Sequence, residues 1–324
     1  MHVLIPFAAT LDPACRQALG ALKLPQLRRL LATLAAGPVD AASEFSLTPA
    51  HERVQARCQG LPLQDGRAPF AAVAALGAAT QLCPGVAADK QTHTPHGAWA
   101  FITPCHWVLG QNHVSMGDPD DLELSPQHSD QLRQSMQPYF AEDAIDLFPY
   151  QASTWLARSD FFSGLACASL DRVADRDVGD WLPRSPAAKL VRRLQSEMQM
   201  LLYTDPVNTV REGLGLQPIN SFWVSGAGAL PAGFVLPANQ PSVDASLRRA
   251  ALRRDASAYA QAWRELDAGR LADLNRELRS GKSVSLSLCG ERSSITWTGP
   301  AKFSLSRWLG SLRRPSAQQA LEAL

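Results

Sequence analysis

Between Ser283 and Leu288 the chain alternates serine with Val284, Leu286 and Leu288, a period of two that only an extended strand places on one face. The spacing predicts a strand buried on one side. Directly before it, Tyr259, Trp263 and Leu266, and then Leu271, Leu274 and Leu278, recur at helical spacing, and Gly281 supplies a terminator. Gly290 to Ser293 can turn the strand into Ile295-Thr296-Trp297. A helical period that gives way to a strand period excludes all-α and all-β architectures. The same exchange recurs upstream, so the expected class is α/β or α+β, a mixed or mostly parallel sheet flanked by helices.

The amino-terminal Val3 to Phe7 reads as a buried first strand, without a basic n-region or a cleavable apolar run. Leucines from Leu19 to Leu34 predict two helices separated by Pro25. Thr48-Pro49 opens a helix ending near Gly60, and Phe70 to Thr80 a small one. Ala98 to Met116 reads as two strands and a turn, Ser125-Pro126 caps a helix that Pro138 should kink or shorten, and Leu147 to Leu156 reads as one strand. The clearest helix starts at Ser185-Pro186, carries Leu190, Leu194, Met198, Leu201 and Leu202 on one face, and stops by Thr204 because Asp205 precedes a proline. A loop or short helix follows to Pro218, then a strand from Ile219 to Val224 and a tight turn at Ser225-Gly226-Ala227-Gly228. Pro231, Pro237 and Pro241 mark a linker or wrapping loop.

Composition narrows function. Among 324 residues, 31 basic and 30 acidic side chains leave a net charge of +1, so no nucleic-acid partner is expected. The longest weakly polar run, Phe70 to Ala79, is about half of the roughly 20 residues that span a bilayer, so no membrane segment is expected. Six cysteines without a CxxC pair fit a reducing cytoplasm.

Leu201-Leu202-Tyr203-Thr204-Asp205-Pro206-Val207-Asn208-Thr209-Val210-Arg211-Glu212-Gly213, followed by Pro218-Ile219-Asn220 and Gly226-Ala227-Gly228, resembles a stretch of archaeal-type cofactor-independent phosphoglycerate mutases. Over most of its length the chain resembles a proteobacterial family labelled phosphoglycerate-mutase-like, or regulatory protein of pathogenicity-factor synthesis of the RpfE type. The runs that carry this are Thr103-Pro104-Cys105-His106-Trp107, Pro138 to Asp143, Ala168 to Val173, Leu194 to Tyr203 and Asn220 to Gly226. The resemblance implies a degenerate alkaline-phosphatase-like fold. It places the α/β core at 1–92 and 229–324, and an inserted substrate-domain-like region at 93–228.

The mutase reaction needs a hydroxyl nucleophile and paired cations that neutralise the developing charge. In that family an Asp-Gly pair follows the first strand, and further Asp and His ligands lie in the carboxy-terminal half. Here the first strand runs into Pro6-Phe7-Ala8-Ala9-Thr10, no histidine follows His128, and Ser225 stands where an Arg often precedes Gly-x-Gly. The expectation is a relative that has lost the two-metal site and acts as a binding or regulatory protein. It would take a small phosphorylated or carboxylated ligand at Asn208, Arg211, Asn220, Gly226 and Gly228, or a protein partner. The residues equally allow Asn208 and Asn220 to satisfy backbone groups, with Arg211 paired to Glu197 or Glu212.

A second constellation is His93, His96, Cys105-His106, His113, Asp118, Asp120 and Asp121, which holds four of the seven histidines. These side chains are competent zinc or manganese ligands, and a hairpin could bring His106 and His113 together. The alternative function is therefore a metal-dependent phosphotransferase or phosphoester hydrolase using the His93–Asp121 cluster. Cys105 beside His106 is a candidate nucleophile. Glu142-Asp143 and Asp171-Arg172 read as helix caps, and Arg307, Arg313 and Arg314 beside Trp308 as a solvated basic end.

Overall fold

The computed structural model describes residues 1–82, 97–183, 188–299 and 317–324, with side chains up to 78 in the first stretch. In chain order the elements begin β1 (His2–Ile5), α1 (Pro13–Gly20), α2 (Pro25–Thr33), β2 (Ala35–Ala41), α3 (Ala50–Gln59) and α4 (Phe70–Leu82). There follow β3 (Trp99–Cys105), β4 (Trp107–Leu109), β5 (Val114–Met116), α5 (Pro126–Ala141), β6 (Asp146–Gln151), β7 (Thr154–Arg158), α6 (Leu170–Val173) and β8 (Arg176–Asp177). The remainder is α7 (Ala188–Tyr203), α8 (Pro206–Gly213), β9 (Ser221–Gly228), β10 (Ser242–Val243), α9 (Arg248–Leu252), α10 (Ala256–Leu266), α11 (Ala272–Arg279), β11 (Ser285–Cys289), β12 (Ser293–Thr298) and α12 (Ala317–Glu322). The residues form two compact units, one of 1–45, 49–59 and 237–324 and the other of 46–48 and 60–236, so α4 groups with the second. Among the described residues no helix is long and apolar enough to cross a membrane.

The first unit is built on a mixed sheet of order β10-β1-β11-β12-β2, in which β1 runs parallel to β10 and β11, and β12 is antiparallel to both its neighbours, β11 and β2. This is the expected mixed α/β class. The alternating segment is indeed a strand, but it is buried on both faces, not one. Leu286 and Leu288 occupy one face, while Ser287, fully buried on the other, bonds His2 Nε2 at 2.8 Å and Thr296 Oγ1 at 2.7 Å. Those bonds make a serine tolerable inside. On the serine face Leu4 and Cys289 pack with Ala50 and Val54 of α3, beside Cys58. The helical repeats run as α10 and α11, joined through one π turn at Asp267–Leu271.

Short-range caps set the helix starts. Asp12, Ser125, Asp205 and Asp255 each accept a hydrogen bond from a backbone N–H two or three residues on, and Pro13, Pro126 and Pro206 occupy the first turn, where no N–H is needed. Helix α5 runs past Pro138 to Ala141. The expected start of α7 at Ser185-Pro186 lies outside the described residues, as do Cys83 and the Arg307–Arg314 segment.

The second unit carries an antiparallel sheet of order β6-β7-β3-β9 and a small sheet β4-β5-β8. Three segments differ from the sequence expectation. Ala98–Met116 holds three strands, because Cys105 ends β3 in one sheet and Trp107 starts the β4–β5 hairpin in another. Leu147–Leu156 is not one strand but parts of β6 and β7, which turn at residues 152–153. Ser225–Gly228 is no turn but the end of β9, paired to β3 through a bulge between Trp99 and Phe101. Ala100, Ile102, Trp155, Ala157, Phe222 and Val224 form the core with Leu132, Met136 and Phe140 of α5 and Leu194, Met198 and Leu202 of α7. Trp99 and Leu156 pack with the alanines of α4.

Candidate functional site

The segment that resembles the mutases is local architecture before it is anything else. Asp205 caps α8 by accepting from Val207 N at 2.8 Å, which turns Asn208 and Arg211, one helical turn apart, inward. Asn208 Nδ2 donates to Leu202 O at 2.7 Å and Ile219 O at 2.6 Å, and its Oδ1 accepts from Ile219 N at 2.8 Å. Asn220 takes Trp107 N at 2.7 Å and returns Nδ2 to Trp107 O at 2.9 Å. Arg211 is fully buried; its Nε donates to Gln217 O at 2.9 Å and its Nη2 to Leu122 O at 2.5 Å, while Nη1 has no partner among the described residues. Burial lowers its pKa, with Glu123 opposing. All three side chains thus bond backbone groups, and Arg211 meets the Gln217 and Leu122 carbonyls, not Glu197 or Glu212.

Gly226 and Gly228 lie on β9 at φ +61° and +147°. A Cβ at Gly226 would stand 2.8 Å from the Phe101 ring and 3.3 Å from Ala71 N, and one at Gly228 3.0 Å from Pro69 Cβ. These glycines let the start of α4 and its preceding proline approach the strand.

The histidine constellation is only partly described. His93 and His96 lie outside the described residues. The hairpin register pairs Trp107 with Met116 and Leu109 with Val114, so His106 and His113 stand at opposite ends of it and are not brought together. The His106 ring bonds Pro218 O through Nδ1 at 2.8 Å, and His113 O accepts from Gly110 N at 2.8 Å. Asp118 is buried and caps the 3-10 turn Pro119–Leu122, which contains Asp120 and Asp121; its N–H donates to Asp175 Oδ1 at 3.3 Å. Among the described residues, no three His, Cys, Asp or Glu side chains gather so as to hold a metal ion. Cys105 is fully buried and burial pushes its thiol far up, so the nucleophile reading does not hold.

A groove in the first unit was not singled out by sequence reasoning. In open α/β sheets ligand sites form beyond the carboxyl ends of parallel strands, which here are the ends of β10, β1 and β11. The chain leaves β1 through Phe7 in left-handed backbone at φ 56°, held by Tyr259 Oη donating to Phe7 O at 2.7 Å. Glu291, just past β11, accepts from Thr10 Oγ1 at 3.1 Å and Leu11 N at 2.9 Å, fixing the loop. Asp12 then opens α1 by accepting from Cys15 N at 2.9 Å. Cys15 is buried, and burial and Asp12 push its thiol up to about 11. Beside this loop, α1, the α1–α2 turn and α12 enclose a cavity of about 870 Å³. Leu19, Leu24 and Leu321 are buried in its wall, and Arg16, Lys23 and Arg28 stand exposed at its rim. The interleaving of Arg16, Lys23 and Arg28 with Leu19, Leu22 and Leu24 was the signal available in the sequence.

Comparison with known proteins places this geometry among weak likenesses. No family model matches the chain, and no curated protein matches it. The cofactor-independent phosphoglycerate mutase from Thermoplasma acidophilum aligns with 100% of this chain and 99% of its own, at 14% identity and a TM-score of 0.35. The PH0037 protein from Pyrococcus horikoshii aligns with 92% of this chain and 87% of its own, at 11% identity and a TM-score of 0.42. By its own sheets and helices the chain is a mixed α/β protein.

Proposed function

We propose that this chain is a catalytically degenerate relative of the cofactor-independent phosphoglycerate mutases, of the proteobacterial RpfE-type family, and that it works in the cytoplasm as a binding or regulatory protein. The observation that carries the reading is Arg211. It is the basic residue of the shared segment, and it is fully buried with two of its nitrogens on the carbonyls of Gln217 and Leu122. Asn208 and Asn220 likewise serve backbone groups. A motif so occupied supports retention for architecture, and Thr10 and Asp12 of the loop after β1, with Glu291 just past β11, serve one another and backbone N–H groups.

The test is interconversion of 2- and 3-phosphoglycerate, and hydrolysis of a generic aryl phosphate, by the full chain with and without added zinc or manganese. No turnover above background is expected under any condition. Metal-stimulated turnover that His106→Ala abolishes would overturn the reading in favour of a metal-dependent phosphotransferase.

A further inference from the structure

The groove of the first unit has two properties that belong together. Its wall is apolar, with Leu19, Leu24 and Leu321 buried and Leu22 and Leu324 half-buried. Its rim carries three cations, Arg16, Lys23 and Arg28, whose side chains make no hydrogen bond or ion pair among the described residues. The acid on the same rim, Glu322, accepts from Gln318 Nε2 at 3.1 Å. Leu324 O accepts from Ser293 Oγ at 2.5 Å, which ties the end of α12 to β12 and fixes that side of the cavity. At about 870 Å³ the space lies within the range, roughly 300–1,000 Å³, that holds a small organic ligand.

We infer that this groove binds a single-chain amphiphile with an anionic head group, its chain against the leucines and its head among Arg16, Lys23 and Arg28. An apolar wall alone would take a neutral hydrophobe, and a cationic rim alone a free anion. The two together fit a molecule that carries both parts, because chain burial supplies affinity and the guanidinium forks of two arginines match a carboxylate or phosphate in two-point contact. The head can be the carboxylate of a fatty acid or the phosphate of a single-chain phospholipid, and the rim chemistry is the same for both. The inference rests on the reading of this chain as a binding protein and gives it a ligand class.

Titration calorimetry of the full chain with octanoate, decanoate, dodecanoate and dodecyl phosphate, below their micellar concentrations, tests it, with an alkyl glucoside of matched chain as neutral probe. Affinity should rise by up to roughly fourfold per added methylene. The neutral probe should bind at least tenfold more weakly, and the combined Arg16→Gln, Lys23→Gln, Arg28→Gln variant should lose at least tenfold for both anionic heads. These positions are exposed, so the variant should fold, and a circular dichroism spectrum matching wild type is the control for that. The order of dodecanoate and dodecyl phosphate assigns the head group. Absence of binding, affinity independent of chain length, equal binding of the neutral probe, or an unaffected triple variant each overturns the inference. Absence of binding together with absence of phosphoglycerate turnover removes the amphiphile and leaves the non-catalytic reading standing.

Discussion

Helix α2 begins at Pro25 without a capping side chain of its own, and Asp267, 241 residues beyond Gln26, supplies what is missing by accepting from Gln26 N at 3.2 Å and Leu27 N at 2.8 Å. Asp267→Ala leaves the buried Leu27 N–H and the part-buried Gln26 N–H unmet and should cost about 1–2 kcal/mol in urea unfolding. Burial raises the Asp267 carboxyl above its ordinary value, with the Leu27 and Gln26 amides opposing. A raised folded pKa means the folded state holds the proton longer, so stability from this group is full at low pH and falls as pH rises through the folded pKa. The difference between wild type and Asp267→Asn should therefore move in favour of the variant as pH rises from about 4, and become flat above that window. Arg211 gives a second residue-scale prediction. Lysine cannot bridge the Gln217 and Leu122 carbonyls as a planar fork does, so Arg211→Lys should destabilise by about 1–3 kcal/mol, read by the same unfolding curve. At this scale the sequence located Asn208, Arg211 and Asn220 but left their role open between anion and backbone. The Leu202, Gln217 and Ile219 carbonyls they meet lie within eleven residues, but Leu122 O is 89 residues from Arg211 and Trp107 O 113 from Asn220, contacts that no local pattern announces.

Helix starts were legible because their causes are local: Asp205-Pro206 and Ser125-Pro126 carry cap and first-turn proline within two residues. Strand ends were less so. Gly226-Ala227-Gly228 has the composition of a turn, yet β9 runs through it because β3 lies alongside and the start of α4 needs the missing Cβ atoms. Gly226→Ala should force both a left-handed alanine and a clash with Phe101, at about 1–3 kcal/mol. Thermal unfolding reads this as a lower midpoint, and a midpoint equal to wild type would mean that β9 and α4 can separate freely. The β6–β7 turn was missed for the converse reason. Its residues 152–153 are Ala and Ser, which carry little of the glycine or asparagine signal that marks tight hairpins.

At the level of the molecule, the interchange of helical and strand periods was enough to read a mixed α/β class, and each unit has a central strand flanked on both sides. In native-state hydrogen exchange the slowest amides should be those of β1 and β11 in the first unit and of β3 in the second, with the two-residue strands β8 and β10 far faster. The groove escaped sequence reading because its two walls, α1 with the following turn and α12, stand at opposite ends of the chain. The pairing of His2 with Ser287 spans 285 residues. At roughly 5–20 residues per second of synthesis, Val3-Leu4-Ile5 leaves the ribosome about a quarter of a minute to a minute before β11 exists to cover it. A newly made chain thus carries an apolar, unpaired strand through most of its translation, and trigger-type chaperones that hold such segments should raise its soluble yield.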